Sequence, residues 1–187
     1  MREIEIKVKI AEIESAINFL KEKGVKFSEE IDQYDRIFLP NGVTYDDLQV
    51  KQSENSVLRL REQNGKVKFT LKQTQSMELD CLEAETVVED PVEMEKAINM
   101  LGFYLAIEVR KKRKKGKLGE LTFCVDQVED LGGFVEVEKL FSDEVDAGSV
   151  QKELFDNLLA MGLEIEEQVF QGYDTLRYFY LKENSSD

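Results

Sequence analysis

Apolar and charged side chains alternate along the start of the chain. The apolar set is Ile4, Ile6, Val8 and Ile10, and the charged set is Glu3, Glu5, Lys7 and Lys9. Because the side chains of a β-strand point alternately to its two faces, this period of two predicts a strand with one apolar and one charged face.

Three later segments carry apolar residues at the three- and four-residue spacing of an amphipathic helix. Before the second of them, Asp90, Pro91 and Glu93 fit the N-cap, N1 and N3 positions of a helix. Glycines suit the left-handed position at the helix ends. The predicted helices run from about Glu12 to Gly24, from Asp90 to Gly102, and over residues 149–161 with Gly162 beyond.

The period of two returns between the helices. Asn64-Gly65 favours a tight turn and joins two predicted strands into a hairpin, and Lys115-Gly116-Lys117 is predicted to join a second pair. The strands predicted after the first cover residues 57–62, 67–73, 82–89, 106–115, 118–128 and 134–140.

The chain contains two similar halves. Each begins with a strand that carries a Glu-x-Glu pair, Glu3/Glu5 or Glu83/Glu85, and continues through a helix into charged strands. Such antiparallel repeats can close into one barrel, which removes exposed sheet edges. Two separate small domains are the alternative, but each half alone would bury too little core.

We therefore predict an α+β fold with a single domain over residues 1–181. It consists of a closed antiparallel β-barrel, or tunnel, with helices packed on its outside. Residues 41–55 are polar and follow Pro40, so they are predicted to form a loop or an irregular extended segment. Residues 182–187 are predicted to be a disordered tail.

The orientation of the charged strand faces decides what lines this barrel. In most barrels the apolar face points inward, and strand by strand this is the default expectation. Two observations favour the reverse. Each helix carries only one apolar stripe and needs an apolar sheet surface to cover. The charges are also sorted, since carboxylates pair at i, i+2 on some strands and cations on others, as in Arg59/Arg61 and Lys111/Arg113.

Composition limits the chemistry of such a tunnel. The formal net charge of -14 over 187 residues argues against a nucleic-acid partner. The absence of histidine excludes a Ser/His/Asp triad and a His-ligated zinc. Cys81 and Cys124 form no CxxC pair, so neither a zinc ribbon nor a disulfide framework is indicated. No signal peptide or membrane span is found, which predicts a cytoplasmic protein without a membrane partner.

Paired carboxylates and paired cations together indicate phosphoryl transfer. Carboxylates at i, i+2 project side by side, roughly 7 Å apart at the backbone. Mg²⁺ or Mn²⁺ accepts such oxygens together with phosphate oxygens. Guanidinium groups bind phosphate with parallel hydrogen bonds, and lysine adds positive charge.

An ordered set of motifs resembles the CYTH family, also called triphosphate tunnel metalloenzymes, which includes class IV adenylyl cyclases, thiamine triphosphatases and inorganic triphosphatases. The motifs are Glu3-Ile4-Glu5-Ile6-Lys7, Leu58-Arg59-Leu60-Arg61, Thr70-Leu71-Lys72, Glu83-Ala84-Glu85, Val109-Arg110-Lys111-Lys112-Arg113, and the segment from Asp126 to Glu138. The first motif alone is weak, but the set spans nearly the whole chain. The resemblance implies a tunnel of about eight antiparallel strands.

The resemblance also implies roles for these residues. The metal ligands would be Glu3, Glu5, Asp126, Glu136 and Glu138. The triphosphate would be bound by Lys7, Lys9, Arg59, Arg61, Lys72, Lys111 and Arg113. Glu83 and Glu85 belong to the same substrate-binding set, where they would tune these basic residues or orient water instead of ligating metal. The catalytic set would be Glu3, Glu5, Lys7, Lys72, Lys111 and Arg113. For Lys9, Lys68 and Lys115 a solvated role is an equal alternative.

Three activities are consistent with this resemblance. A cyclase would convert ATP to cyclic AMP and pyrophosphate, a triphosphatase would hydrolyse tripolyphosphate or thiamine triphosphate, and a binding protein would hold a triphosphate unchanged. The helix end at Phe103 and the segment 131–138 most resemble bacterial and archaeal class IV cyclases, which makes the cyclase the first expectation. The segment 172–176 follows the Ser-Tyr ending of that group only in part.

Two further features stay open from sequence. Four aromatic residues could stack on a nucleotide base or could pack in the core: Phe38, Tyr45, Phe69 and Tyr173. The family resemblance permits a homodimer, but no heptad pattern or apolar stripe requires one.

Overall fold

The computed structural model describes residues 2–50, 56–76, 78–142 and 145–185. Its strands are β1 (Arg2–Ile10), β2 (Lys26–Phe27), β3 (Ile31–Pro40), β4 (Ser56–Gln63), β5 (Lys66–Thr74), β6 (Asp80–Val88), β7 (Phe103–Leu118), β8 (Leu121–Val128), β9 (Gly132–Phe141) and β10 (Glu167–Val169). Its helices are α1 (Ile13–Glu22), α2 (Tyr45–Val50), α3 (Pro91–Met100), α4 (Ala147–Met161) and α5 (Tyr173–Asn184).

Eight strands close into one antiparallel barrel. The order is β1-β6-β5-β4-β3-β7-β8-β9, and the pairing of β9 with β1 completes the ring. Two short strands lie outside it, β10 against β1 and β2 against β7. Strands from both halves of the sequence therefore share one barrel, which confirms the predicted α+β architecture.

The helices cover the apolar outer face of the barrel. Ile6, Val8 and Ile10 of β1 pack with Ile17 of α1 and Leu158 of α4 in one buried cluster. Burying a large aliphatic side chain contributes roughly 1.5–3 kcal/mol, so this outer layer is a strong reason for β1 to turn its apolar face outward. The charged face of β1 is thereby directed into the tunnel.

Two further apolar clusters stabilise the barrel. Helix α3 contributes Ile98, which packs with Leu58 and Leu60 of β4. At one end of the barrel, α5 brings Tyr173 against Ile37 and Val109, with residues of α2 packed alongside. We call this covered end of the tunnel the closed end.

The predicted helix boundaries agree closely with the structure. Asp90 caps α3, since its side chain accepts hydrogen bonds from the backbone N–H groups of Val92 and Glu93. Asp146 caps α4 in the same way, so that this helix begins slightly earlier than predicted. Gly24 and Gly162 follow α1 and α4 with φ of +94° and +90°, the conformation that glycine adopts readily.

The second predicted hairpin turn is wrong. β7 continues through Gly116 to Leu118, and the turn lies at Gly119 and Glu120. Gly116 has a packing role, because a Cβ at this position would approach the side chain of Val25 to 2.6 Å and that of Phe27 to 2.8 Å. The glycine lets β2 and the residue before it pack closely on β7.

Several elements differ from the sequence prediction. β2, β3, β10 and α5 have no predicted counterpart. The segment predicted as a loop contains α2, and residues 51–55 lie outside the described ranges. Helix α5 continues to Asn184, so the predicted tail is wrong for residues 182–184, and residues 186 and 187 are not described.

Two predictions on smaller features can also be compared with the structure. Cys81 and Cys124 are buried free thiols, as expected without a disulfide framework. None of the helices in the described ranges has the length and hydropathy that a membrane span requires.

Candidate active site

The tunnel encloses a cavity of about 750 Å³ with strongly charged walls. Nearly all the sequence-predicted site residues line it: Glu3, Glu5, Lys7, Arg59, Arg61, Lys72, Glu83, Glu85, Lys111, Arg113, Glu136 and Glu138. Lys68 and Lys115 line it as well. Because these residues come from six strands in both halves of the chain, only closure of the barrel brings them together.

Two predicted residues do not line this cavity. Lys9 is half-buried on β1, where its Cα pairs with those of Phe134 and Glu167. Asp126 is fully buried behind Arg113. The structure thus separates Lys9 and Asp126 from the side chains that face the cavity.

Three carboxylates in the tunnel lie close enough to share a cation. Glu3, Glu5 and Glu138 each offer an oxygen atom within 4.8 Å of the others, and we call them the carboxylate cluster. In the described part of the chain, neither Glu3 nor Glu5 has a lysine or arginine nitrogen within 4.0 Å. Carboxylate oxygens are the ligands that Mg²⁺ and Mn²⁺ prefer, so this cluster fits a divalent metal ion.

The carboxylate cluster is electrostatically unfavourable without a cation. Burial raises the pKa of Glu3 to about 7, and the negative charge of Glu138 acts in the same direction. Burial also raises the pKa of Glu5 to about 8, with Glu136 adding to the effect. A divalent cation among these groups would favour their charged forms and reverse both shifts.

Arg113 lies at the centre of a second carboxylate group. Its Nε lies 2.7 Å from Oδ1 of Asp126, and it also donates to Glu136 and lies 3.6 Å from Glu138. Burial alone would raise the pKa of Glu136, but Arg113, Lys7 and Lys111 hold it well below its usual range. Glu136 is therefore ionised, and the neighbouring cations balance its charge. In the described residues, Glu3 and Glu5 have no cation this close.

Where β3 and β4 form the wall of the tunnel, Arg61 makes a bidentate pair with Asp35. Nε and a terminal nitrogen of Arg61 each lie 2.6 Å from a carboxylate oxygen of Asp35. Next to it, Arg59 donates to the hydroxyl of Thr70 at 3.2 Å, whereas its buried Nε has no partner in the described structure. Arg59 thus keeps donor capacity for an anion that enters the cavity.

Glu83 and Glu85 pair with lysines of the neighbouring strand β5. Glu83 lies 2.5 Å from Nζ of Lys72, and Glu85 lies 2.6 Å from Nζ of Lys68. Of the two roles considered from sequence, this geometry fits the tuning of basic residues. The pairing fixes the two lysine side chains on the wall.

The C-terminal segment supplies the closed end of the site. Nζ of Lys7 donates to the backbone carbonyl of Gln171 at 2.8 Å and lies 3.4 Å from Glu136.

Lys111, on β7, is the second buried lysine at this end. Its Nζ lies 3.7 Å from Asp126. Burial lowers the pKa of Lys111 to about 8, and the positive charge of Arg113 lowers it further in the same direction.

Sequence reasoning missed several residues of this end. Glu78 and Asp174 line the cavity, and the hydroxyl of Thr175 donates to Glu78 while that of Tyr45 donates to Asp174 at 3.0 Å. Burial raises the pKa of Glu78, and Asp174 raises it further. No sequence motif indicates these contacts, because they join α5 to the loop before β6 and to α2, which lie far away in sequence.

Of the four aromatic residues considered from sequence, one lines the cavity and three pack in the core. Tyr173 lines the cavity, whereas Phe38 and Tyr45 are buried in the core and do not line it. Phe69 packs in the outer cluster beneath α3. Tyr173 is thus the single member of this set at the site.

Comparison with known proteins agrees with this site. The CYTH domain profile matches residues 1–173. A protein of Methanocaldococcus jannaschii that is named as a candidate adenylate cyclase is 31% identical over 179 residues, which cover 95% of this chain and 99% of the relative.

Two solved structures share the fold. A protein from Pyrococcus horikoshii has a TM-score of 0.75 at 27% identity and covers 93% of this chain and 98% of its own. A candidate adenylyl cyclase from Hippeastrum, described as having a dominant triphosphatase activity, has a TM-score of 0.59 at 17% identity, with 95% and 94% covered. Since the profile spans most of the chain and the tunnel carries the motifs that resemble the family, this protein belongs to the CYTH domain family of triphosphate tunnel metalloenzymes.

Proposed function

We propose that this protein is a metal-dependent enzyme that acts on a nucleoside triphosphate, with cyclisation of ATP to cyclic AMP and pyrophosphate as its reaction. The observation that carries the proposal is the carboxylate cluster of Glu3, Glu5 and Glu138 inside the same cavity as eight arginine and lysine side chains. Family membership and the name of the Methanocaldococcus relative support the same class of reaction.

The carboxylate cluster would hold Mg²⁺ or Mn²⁺. A metal ion bound there supplies Lewis-acid stabilisation of phosphate oxygens and lowers the pKa of an attacking hydroxyl group. Glu3 and Glu5 are suited to this role because no cation of the described chain neutralises them, whereas Glu136 is already neutralised by Arg113. Glu138 lies between the two groups and joins them.

Arginine and lysine side chains of β4, β5 and β7 would bind the triphosphate chain. Arg59 has an unpartnered buried Nε, and Arg61 is held in place by Asp35. Guanidinium groups fixed in this way can donate parallel hydrogen bonds to phosphate oxygens without first being ordered. Together with Lys72 and Lys111 they would offset the charge that develops on the leaving pyrophosphate.

The apolar part of the cavity favours a nucleoside triphosphate over an inorganic one. Ile37, Leu48, Val57 and Val109 line the closed end, and none of these side chains can donate or accept a hydrogen bond from phosphate. A cavity of about 750 Å³ also falls in the range that holds an organic ligand of drug-like size. This wall suits the base or the ribose of a nucleotide.

Hydrolysis is the second reaction that the site supports. A triphosphatase needs the same carboxylate cluster and cations, and differs in that water, rather than the ribose 3′-hydroxyl, attacks phosphorus. The structural likeness to the Hippeastrum protein, described by its triphosphatase activity, favours this alternative. The two reactions are distinguished by their products.

The deciding experiment incubates the purified protein with ATP, tripolyphosphate or thiamine triphosphate in the presence of Mg²⁺ or Mn²⁺, and resolves the products by ion-exchange chromatography. Cyclic AMP with pyrophosphate is the expected result. Orthophosphate would instead identify a triphosphatase. Tight binding of all three ligands without any product would contradict an enzymatic role and support a binding protein.

A further inference from the structure

Tyr173, the first residue of α5, is buried at the closed end of the tunnel. Its ring packs edge-on against Phe134 with 5.2 Å between the ring centroids. The following residue, Asp174, accepts a hydrogen bond from Tyr45, and further along α5 Tyr178 stacks on the ring of Tyr45 at 5.0 Å. Helix α5 thereby fixes the position of the Tyr173 ring relative to the barrel.

Two lysines from different strands meet this ring. Nζ of Lys7, on β1, lies 4.1 Å from the ring centroid, and Nζ of Lys111, on β7, lies 4.5 Å from it. Strands β9 and β8 separate β1 from β7 in the barrel. An aromatic face attracts ammonium groups, and the attraction is stronger when both partners are removed from water, as they are here.

Other acceptors lie near the same ammonium groups, and Nζ of Lys7 also donates to the backbone carbonyl of Gln171 at 2.8 Å. Nζ of Lys7 lies 3.4 Å from Glu136, and Nζ of Lys111 lies 3.7 Å from Asp126. These separations are longer than the 2.7–2.9 Å of a direct charge-assisted hydrogen bond. A lysine that closed onto its carboxylate would lose donor capacity toward a phosphate group.

We propose that Tyr173 is a positioning residue, whose ring holds Lys7 and Lys111 in the orientation that binds the triphosphate. The inference rests on the proposed function, because it assigns the two lysines to substrate. It makes α5 a functional part of the site, since the ring that orients cations from two separate strands belongs to this helix.

The test compares two substitutions of the ring. Tyr173→Phe keeps the aromatic face, and Tyr173→Met keeps much of the volume but not the face. We expect Tyr173→Met to weaken tripolyphosphate binding about tenfold to thirtyfold, as measured by titration calorimetry with Mg²⁺, given the strength of desolvated cation–π contacts. The KM for ATP should rise by a similar factor with a smaller change in kcat, and Tyr173→Phe should retain most of the affinity.

A double-mutant cycle separates positioning from a merely structural role. If Tyr173 acts through Lys7, then Tyr173→Met should weaken binding far less in a Lys7→Met background than in the wild type. Tyr104→Met is the matched control, because Tyr104 packs in the same cluster but does not line the cavity. It should lower the denaturation midpoint without changing tripolyphosphate affinity.

The results that would overturn the inference are distinct from those that would overturn the proposed function. Wild-type affinity in folded Tyr173→Met, equal losses in both backgrounds, or a Tyr173→Phe variant as weak as Tyr173→Met would each contradict positioning by the ring while wild-type binding stands. A wild-type protein that neither binds nor converts any triphosphate would overturn both.

Discussion

Asp126 holds Arg113 through two parallel hydrogen bonds, from Nε to Oδ1 at 2.7 Å and from a terminal nitrogen to Oδ2 at 2.5 Å. The aspartate is fully buried, whereas the arginine lines the cavity. The family resemblance implied that Asp126 is a metal ligand, but in this geometry both carboxylate oxygens face the guanidinium group. We therefore expect Asp126 to act through Arg113.

The substitution Asp126→Asn tests this relationship. It weakens the bidentate contact of a buried guanidinium group that still faces Glu136 and Glu138, so the free energy of unfolding should fall by about 1–3 kcal/mol. Affinity for Mn²⁺ should stay within about threefold of wild type, since removal of a true ligand or its direct support costs 10–100-fold. Urea denaturation and calorimetric Mn²⁺ titration measure the two quantities. A loss of metal affinity as large as that of Glu5→Gln would show that Asp126 is a ligand.

The pair of Asp35 and Arg61 predicts a pH dependence of stability. Burial alone would raise the pKa of Asp35, but Arg61 holds it well below its usual range. A depressed pKa in the folded state means that the pair stabilises the fold above the unfolded pKa of about 4, and that this contribution is lost as the pH falls below it. Asp35→Asn should therefore lower stability by about 3 kcal/mol at pH 7, and by progressively less as the pH is lowered.

Urea denaturation at a series of pH values checks this prediction. The matched control is Asp32→Asn, on the exposed face of the same strand. Its stability should follow the wild type at every pH. A gap between Asp35→Asn and wild type that is the same in acid as at neutral pH would contradict the assigned ion pair.

The period of two in the sequence is enough to predict some strands of the barrel but not others. On β1 the apolar residues from Ile4 to Ile10 share one face, and Glu3, Glu5 and Lys7 share the other, so the pattern predicts both the strand and its charged wall. β3 was missed because both of its faces mix polar and apolar residues. Ile31, Gln33, Asp35 and Ile37 face the cavity, while Asp32 and Arg36 lie on the other face. Asp35 could not be assigned to the site without that strand.

Other parts of the site depend on contacts that no local pattern encodes. Tyr173 reaches Lys7 and Lys111 only because α5 docks across the end of the barrel. Gly116 suggested a turn, but its role is to let Val25 and Phe27 approach β7. In both cases the deciding partner lies far away in sequence, so tertiary packing overrides the local signal.

The raised pKa of Glu5 predicts opposite effects of Glu5→Gln on stability and on activity. A carboxyl group whose folded pKa is about 8 destabilises the metal-free fold increasingly as the pH rises from about 4.5, the model-compound range. Glu5→Gln should therefore raise the unfolding temperature of the protein in EDTA at pH 8. It should also abolish the stabilisation that Mn²⁺ confers on the wild type.

Activity of Glu5→Gln should fall by about a hundredfold or more, since a metal ion contributes several kcal/mol to such reactions. Thermal unfolding with and without Mn²⁺, together with turnover of ATP, provides the measurement. Glu12→Gln, which replaces an exposed glutamate just after β1, serves as the control and should change neither quantity. An undiminished Mn²⁺-dependent shift in Glu5→Gln would remove Glu5 from the metal site.

The apolar wall of the closed end predicts how substrates are distinguished. Val57 lines the cavity and packs with the cluster that contains Ile37 and Tyr173. Val57→Thr keeps the shape of the side chain but places a hydroxyl group in this wall. If the wall contacts the nucleoside, the KM for ATP should rise by about tenfold, the scale of one mismatched group in an apolar pocket. The KM for tripolyphosphate, which has no nucleoside, should change little.

Steady-state kinetics with both substrates tests this selectivity. Val92→Thr makes the same chemical change on the exposed surface of α3, where Val92 is 62% exposed, and should leave both KM values unchanged. Equal effects of Val57→Thr on ATP and tripolyphosphate would mean that Val57 acts on the phosphate-binding part of the tunnel, and would place the nucleoside elsewhere. A selective effect on ATP would support the wall as the feature that suits this tunnel to a nucleotide, because the carboxylate cluster and the cations serve any triphosphate alike.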